Sequence, residues 1–185
     1  MSKKSECIRQ GFDQDVLFLT FYLKNKIMTT CFEPIGKIHT PFTTKEGMPI
    51  QPKFGEGIRG SIELIKEFED GLLDLDGFSH LILIYHLHQS QGYQLKVTPF
   101  LDHFQHGVFA TRAPKRPNAI GLSIVKLIEI KKNILTIENV DMLDQTPLLD
   151  IKPYIPLFDH YPEAKTGWLD AEPKEAKKFS DNRFL

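Results

Sequence analysis

Ile120-Gly121-Leu122-Ser123-Ile124-Val125-Lys126-Leu127-Ile128-Glu129-Ile130, then Lys131-Lys132-Asn133, then Ile134-Leu135-Thr136-Ile137-Glu138-Asn139-Val140, is the stretch on which the fold turns. Successive strand side chains point to opposite faces. Ile120, Leu122 and Ile124 therefore take one face, and Gly121, Ser123 and Val125 the other. The short polar run Lys131-Lys132-Asn133 makes the turn, and the second apolar run is its hairpin partner.

Working outward, Ser79 to His88 is the next strand, with Leu81, Leu83, Tyr85 and Leu87 alternating with His80, Ile82, Ile84, His86 and His88. Apolar residues on both of its faces predict cover from two sides. Phe32 to His39 reads as a short strand ended by Pro41. A turn-rich loop follows from Thr43 to Glu56, and Ile58, Ile62 and Leu64 mark another strand. Glu67 to Leu73 fits one short helix. Tyr93 to Val97 and Leu148 to Tyr154 complete the strands. Six or seven short strands with one dominant hairpin and little helix predict a mainly β fold, a small single-domain β-barrel with short helical segments. Residues 1–30 read as an N-terminal extension and 31–160 as the barrel domain. Residues 161–185 read as a polar surface tail, helical around Pro173 to Lys178.

The 185 residues are 41% hydrophobic and 25% charged, enough to bury a core without metal or disulfide staples. Cys7 and Cys31 lack metal-ligand spacing, which favours reduced thiols. The formal net charge of −1 gives the whole molecule no attraction for phosphate, so any RNA contact requires a local basic patch. The one membrane-like run, Val16 to Leu23, is far short of the roughly 20 residues of a spanning helix. Acidic residues before it and Lys24-Asn25-Lys26 after it do not suit a signal peptide. The expectation is a cytoplasmic protein with no membrane partner.

Gly55-Glu56-Gly57-Ile58-Arg59-Gly60 matches the dinucleotide fingerprint G-x-G-x-x-G, which requires a strand before it and a helix after it. Prolines precede it and β-period residues follow, so it reads as a turn. Five histidines (His80, His86, His88, His103, His106) lie close in sequence, but no cysteine joins them; hydrogen-bonded histidines are the simpler reading and no metal is expected. Ser123 lacks the second glycine of a nucleophile elbow and reads as an ordinary strand residue.

Two blocks carry chemistry. In Gly107 to Ser123, the cations Arg112, Lys115 and Arg116 crowd a loop stiffened by Pro114 and Pro117. Such fixed guanidinium groups suit bidentate binding of carboxylate or phosphate. The structural alternative is an arginine that bonds its own loop carbonyls. In Asp144-Gln145-Thr146-Pro147-Leu148-Leu149-Asp150-Ile151-Lys152-Pro153-Tyr154, an acid and a hydroxyl occupy a turn into a strand. That turn can bind a ribose or an adenine amino group, or merely end a hairpin.

With Ile35-Gly36, Ile38-His39-Thr40-Pro41-Phe42, Gln51-Pro52, Phe78-Ser79-His80-Leu81 and His88-Gln89, these blocks resemble the TsaA-like (TrmO) family of tRNA methyltransferases over roughly residues 32–157. The resemblance implies a TsaA-like β-barrel, a homodimer, bound S-adenosyl-L-methionine, and N6-methylation of threonylcarbamoyladenosine beside the tRNA anticodon. It further implies cofactor contacts at Gln51, Pro52, Lys53, His88, Gln89, Arg112, Leu122, Asp144, Gln145, Thr146 and Pro147. His88 and Asp144 become candidate bases because the family places them by the cofactor. On this reading Arg112 meets a carboxylate, either the cofactor's or the threonyl group's, and Lys115, Arg116, Asn118 and Lys152 face the tRNA. Two departures stand out: Gln145 where the family usually has glycine, and Ala119 in place of a common proline. The competing class is a non-enzymatic barrel that binds a nucleoside-like ligand or a protein.

Overall fold

The predicted hairpin is formed by β6 (Ile120–Lys131) and β7 (Ile134–Glu138) in a computed structural model that describes residues 31–170, 179–181, 183 and 184. The helix expected at Pro173 to Lys178 and the extension 1–30 lie outside the described residues. The elements below belong to the compact unit Pro34–Leu185.

Before the hairpin come β1 (Gly36–His39), β2 (Arg59–Leu64) and β3 (His80–His86), then the two-residue strands β4 (Lys96–Val97) and β5 (His106–Gly107), which pair only with each other. After it come β8 (Thr146–Pro153) and the single-turn α1 (Pro156–Asp159). Six strands close an antiparallel barrel in the order β1-β2-β7-β6-β3-β8, with β8 returning to β1. Closure leaves the main sheet no free edge. The helix expected at Glu67 to Leu73 is a 3-10 helix, Lys66–Leu72. The strand expected at Tyr93 to Val97 shrinks to Lys96–Val97.

The barrel interior is filled by Ile38, Ile62, Leu81, Leu83, Val125, Leu135, Ile137 and Leu148, all fully buried. Each such side chain contributes roughly 1.5–3 kcal/mol through lost contact with water. The alternation on β6 resolves against hydrophobicity: Gly121, Ser123 and Val125 face inward, while Ile120, Leu122 and Ile124 are 41%, 49% and 36% exposed. Tyr85 is the reason. It is the cross-strand partner of Gly121, and a Cβ there would run into its ring. Only glycine leaves room for the phenol to lie inside the barrel.

Gly55 to Gly60 is indeed a turn. Gly55 ends the 3-10 helix Pro52–Phe54, Gly57 takes a left-handed φ of 79°, and β2 follows at once. Cys31 is disulfide-bonded, which corrects the reading of reduced thiols at that position.

Candidate functional site

Beside the β3–β6 pair, a cleft of about 850 Å³ opens between five segments of chain. The loop 45–51 forms one wall, and the end of β3 with Leu87 to Ser90 another. Pro99 to Leu101, Phe109 to Pro114 and Arg116 with the start of β6 supply a third, and Asp141, Met142, Leu143 and Thr146 line the floor together with Tyr85. Trp168, Leu169, Ser180, Arg183 and Phe184 cover the remaining side.

Of the residues the sequence nominated, Gln51, His88, Gln89, Arg112, Arg116, Leu122 and Thr146 line this one cleft. They arrive from four separate segments. Pro52, Lys53, Lys115, Asn118, Asp144, Gln145, Pro147 and Lys152 are not among its lining residues. Lys152 is ion-paired with Asp150 at 2.7 Å on β8, and Asn118 is exposed.

The two arginines of the stiff loop divide the roles left open by sequence. Arg116 donates Nη1 to the carbonyls of Val108 (3.0 Å) and Thr111 (2.9 Å) and lies over the Phe109 ring. It is the loop's own brace. Thr111 adds an Oγ1 bond to Val108 O, and Ser90 Oγ donates to Pro114 O. Arg112 instead extends into the cleft and donates Nη1 to Gln51 Oε1 at 2.7 Å. Gln51 is itself fixed, since its Nε2 donates to Ile50 O. Among the described residues, Arg112 has no other side-chain hydrogen bond and no ion pair.

His88 and Asp144 differ in the same way. Burial, with the neighbouring His86, holds His88 below the usual imidazole range and leaves it neutral at pH 7. Its Nδ1 lies 3.4 Å from Thr146 Oγ1, whose own proton goes to Leu143 O at 2.7 Å. Asp144 is turned to the other side of its turn. Oδ1 accepts from Thr40 N (3.1 Å), and Oδ2 from Gln145 Nε2 (3.3 Å). Partial burial opposes its ionisation, but these bonds win and hold the carboxyl below the normal range. A carboxylate so satisfied is a weaker base. Gln145 adopts φ 60°, the left-handed backbone that the missing glycine would have taken without strain.

Sequence reasoning missed the cleft floor. Ser123, read as an ordinary strand residue, is buried and bonds Asp141 Oδ1 at 2.5 Å and the Tyr85 hydroxyl at 2.9 Å. The available signal was an acid wedged between Val140 and Met142, both buried. The C-terminal residues carried no periodicity to announce them. They are held by Trp168 Nε1 donating to Ala110 O, Arg183 donating to Pro99 O, and Phe184 edge-on to Phe100. Among the described residues, no group of three or more potential ligands is placed to hold a metal, and no helix is long and apolar enough to cross a membrane.

The structure is thus a closed antiparallel barrel with a polar-floored cleft beside its β3–β6 pair. The chain belongs to the tRNA-methyltransferase O family, whose N-terminal domain profile matches residues 37–160. It is 49% identical over 156 residues to a probable S-adenosyl-L-methionine-binding protein of Pyrococcus abyssi, covering 84% of this chain and 85% of that one. It is 36% identical to the tRNA (adenine(37)-N6)-methyltransferase of Escherichia coli, covering 77% of this chain but 65% of the enzyme. The crystal structure of TrmO from Pseudomonas aeruginosa superposes with a TM-score of 0.66 at 38% identity, over 77% of this chain and 64% of that one. The family resemblance and the mainly β-barrel fold both hold.

Proposed function

We propose that this chain is an S-adenosyl-L-methionine-dependent methyltransferase acting on N6 of the threonylcarbamoyl-modified adenosine at tRNA position 37. The observation that carries the reading is the convergence of Gln51, His88, Gln89, Arg112, Leu122 and Thr146 on a single cleft, in a chain of this family.

The cleft suits the cofactor's chemistry. Arg112 has guanidinium donors to spare for a carboxylate, held in aim by Gln51. Leu87, Leu122, Met142 and Leu143 offer apolar surface for a purine, and Gln89 and Thr146 offer polar groups at its margin. When bound, the sulfonium supplies an electrophilic methyl group. The protein's contribution is then positioning, because an in-line displacement depends on holding the reacting atoms near contact. The braced 108–116 loop keeps Arg112 from drifting, and the apolar wall keeps water from the reacting centre. Lys115, Asn118 and Lys152 are assigned to the tRNA outside the cleft, while Arg116 stiffens the loop that presents Lys115. A cytoplasmic location rests on tRNA as substrate.

The reading includes a homodimer. The outer faces of β3 and β6 align Ile82 with Ile124 and Ile84 with Leu122, an apolar strip incompletely covered within one chain. A second copy would provide the second cover that the apolar pattern of β3 demands. Introducing Ile124→Glu, away from the cleft, converts the dimer to monomer in sedimentation equilibrium; an unchanged mass of either one or two chains for both proteins removes this face from the proposal.

The activity is tested by nucleoside mass spectrometry of tRNA incubated with protein and S-adenosyl-L-methionine. The expected product is threonylcarbamoyladenosine gaining one methyl group on N6. Cofactor binding without any methylated nucleoside leaves a ligand-binding barrel instead.

A further inference from the structure

The floor of the cleft holds a polar chain that ends on Asp141, a residue outside both sequence blocks. Asp141 stands between buried Val140 and Met142, yet both it and Tyr85 line the cleft. Ser123 Oγ has one proton and gives it to Asp141 Oδ1 at 2.5 Å. The oxygen then accepts from the Tyr85 hydroxyl at 2.9 Å. The second carboxylate oxygen has no side-chain partner among the described residues.

Maintaining an acid here is costly, because a half-buried carboxylate needs a counter-charge or donors to replace the water it has lost. One hydroxyl, its own backbone N–H and a nearby guanidinium are the compensation it has, and burial outweighs them. The glycine at position 121 exists to admit Tyr85, and Tyr85 in turn secures Ser123. The signature residues Gly121 and Ser123 thus serve the Asp141 carboxylate, which lies 18 residues beyond Ser123. Asp141 lines the same cleft as Arg112, Gln51 and His88, the space that the methyltransferase reading gives to the reactants.

We infer that Asp141 is the proton acceptor of the methyl transfer, with Ser123 and Tyr85 as positioning residues that hold its carboxylate, an assignment that rests on the methyltransferase reading above. In the transfer the nitrogen lone pair forms the new N–C bond and the C–S bonding pair stays on sulfur. The N–H proton ends on an Asp141 oxygen, so the positive sulfonium and the negative carboxylate are both neutralised.

The electrostatics agree. Burial pushes the Asp141 carboxyl up to about 7, against the Ser123 hydrogen bond, its own backbone N–H and the positive charge of Arg112. Bases work best when tuned near the operating pH. The titratable groups facing it are Arg112, which stays charged, and Tyr85, whose hydroxyl burial pushes upward and keeps neutral. His88, neutral and also in the cleft, is the competing acceptor.

Three measurements decide between them. In ligand-free protein with carboxyl-labelled aspartate, carbon NMR should show one carboxyl titrating near 7, and that signal should vanish in Asp141→Asn. In single-turnover methylation at saturating cofactor and tRNA, the rate should climb with pH through the same region, because the acid must be ionised to accept a proton. Asp141→Asn should lose about 10²–10⁴-fold in rate with its calorimetric affinity for S-adenosyl-L-methionine retained. Ser123→Ala, which removes a donor to the carboxylate, should move the midpoint of the wild-type limb to higher pH. The assignment is overturned by an Asp141→Asn rate within a few-fold of wild type, or by an affinity loss matching the rate loss. It is equally overturned by an unmoved midpoint in Ser123→Ala, which serves where Asp141→Asn does not fold. Wild-type protein that methylates no tRNA refutes the methyltransferase reading, whatever Asp141 titrates at.

Discussion

Leu83 and Tyr85 sit two residues apart on the inward face of β3 and share Ser123 as a neighbour, yet one packs and the other hydrogen-bonds. Leu83 is fully buried among aliphatic side chains of the barrel, and its cross-strand partner is Ser123. Tyr85 belongs to the same buried cluster, but its hydroxyl joins a polar chain at the cleft. One repeat of the pleat separates aliphatic packing from a polar chain. Dry packing tolerates no volume change, whereas the polar floor tolerates no change in hydrogen bonding.

The sharpest contrast comes from Leu83→Ala. It should cost about 2–5 kcal/mol of unfolding free energy in urea titration, with cofactor affinity of the folded protein little changed. A loss of affinity on that scale would mean the two regions are one. Gly121→Ala should cost about 1–3 kcal/mol by forcing the Tyr85 ring aside, and it should also depress methylation because the ring carries the hydroxyl chain. Full activity with lowered stability would break the link between Gly121 and the floor. Gln145→Gly is the smallest change. It relieves a left-handed φ worth about 1 kcal/mol but removes side-chain bonds to His39 and Asp144. A net gain below that figure in thermal melting is expected, and a loss would show the side-chain bonds dominate.

Strand periodicity exposed the hairpin, β3 and the barrel class, because period-2 alternation is a local property of the chain. It also exposed the false fingerprint at Gly55 to Gly60, since no helix could follow. What alternation could not reveal was which face of β6 turns inward. That was decided by Tyr85 on another strand, and it placed glycine and serine inside with isoleucine outside. The stiff loop was legible as a cation presenter, yet the division between Arg112 and Arg116 depends on which carbonyls lie within reach. Asp144 was conspicuous in the turn and is oriented toward Thr40, while Asp141, three residues earlier, faces the cleft. Trp168 and Phe184 reach the site through tertiary contacts that leave no mark in local sequence.

The claim that the cleft grips the cofactor through Arg112 is tested most directly by calorimetric titration of S-adenosyl-L-methionine into wild-type and Arg112→Ala protein. Wild type should bind one cofactor per cleft, and the variant should bind more weakly by about 1.5–3 kcal/mol, the worth of a charged hydrogen bond. No binding to the wild type, or equal affinity for both, would contradict it.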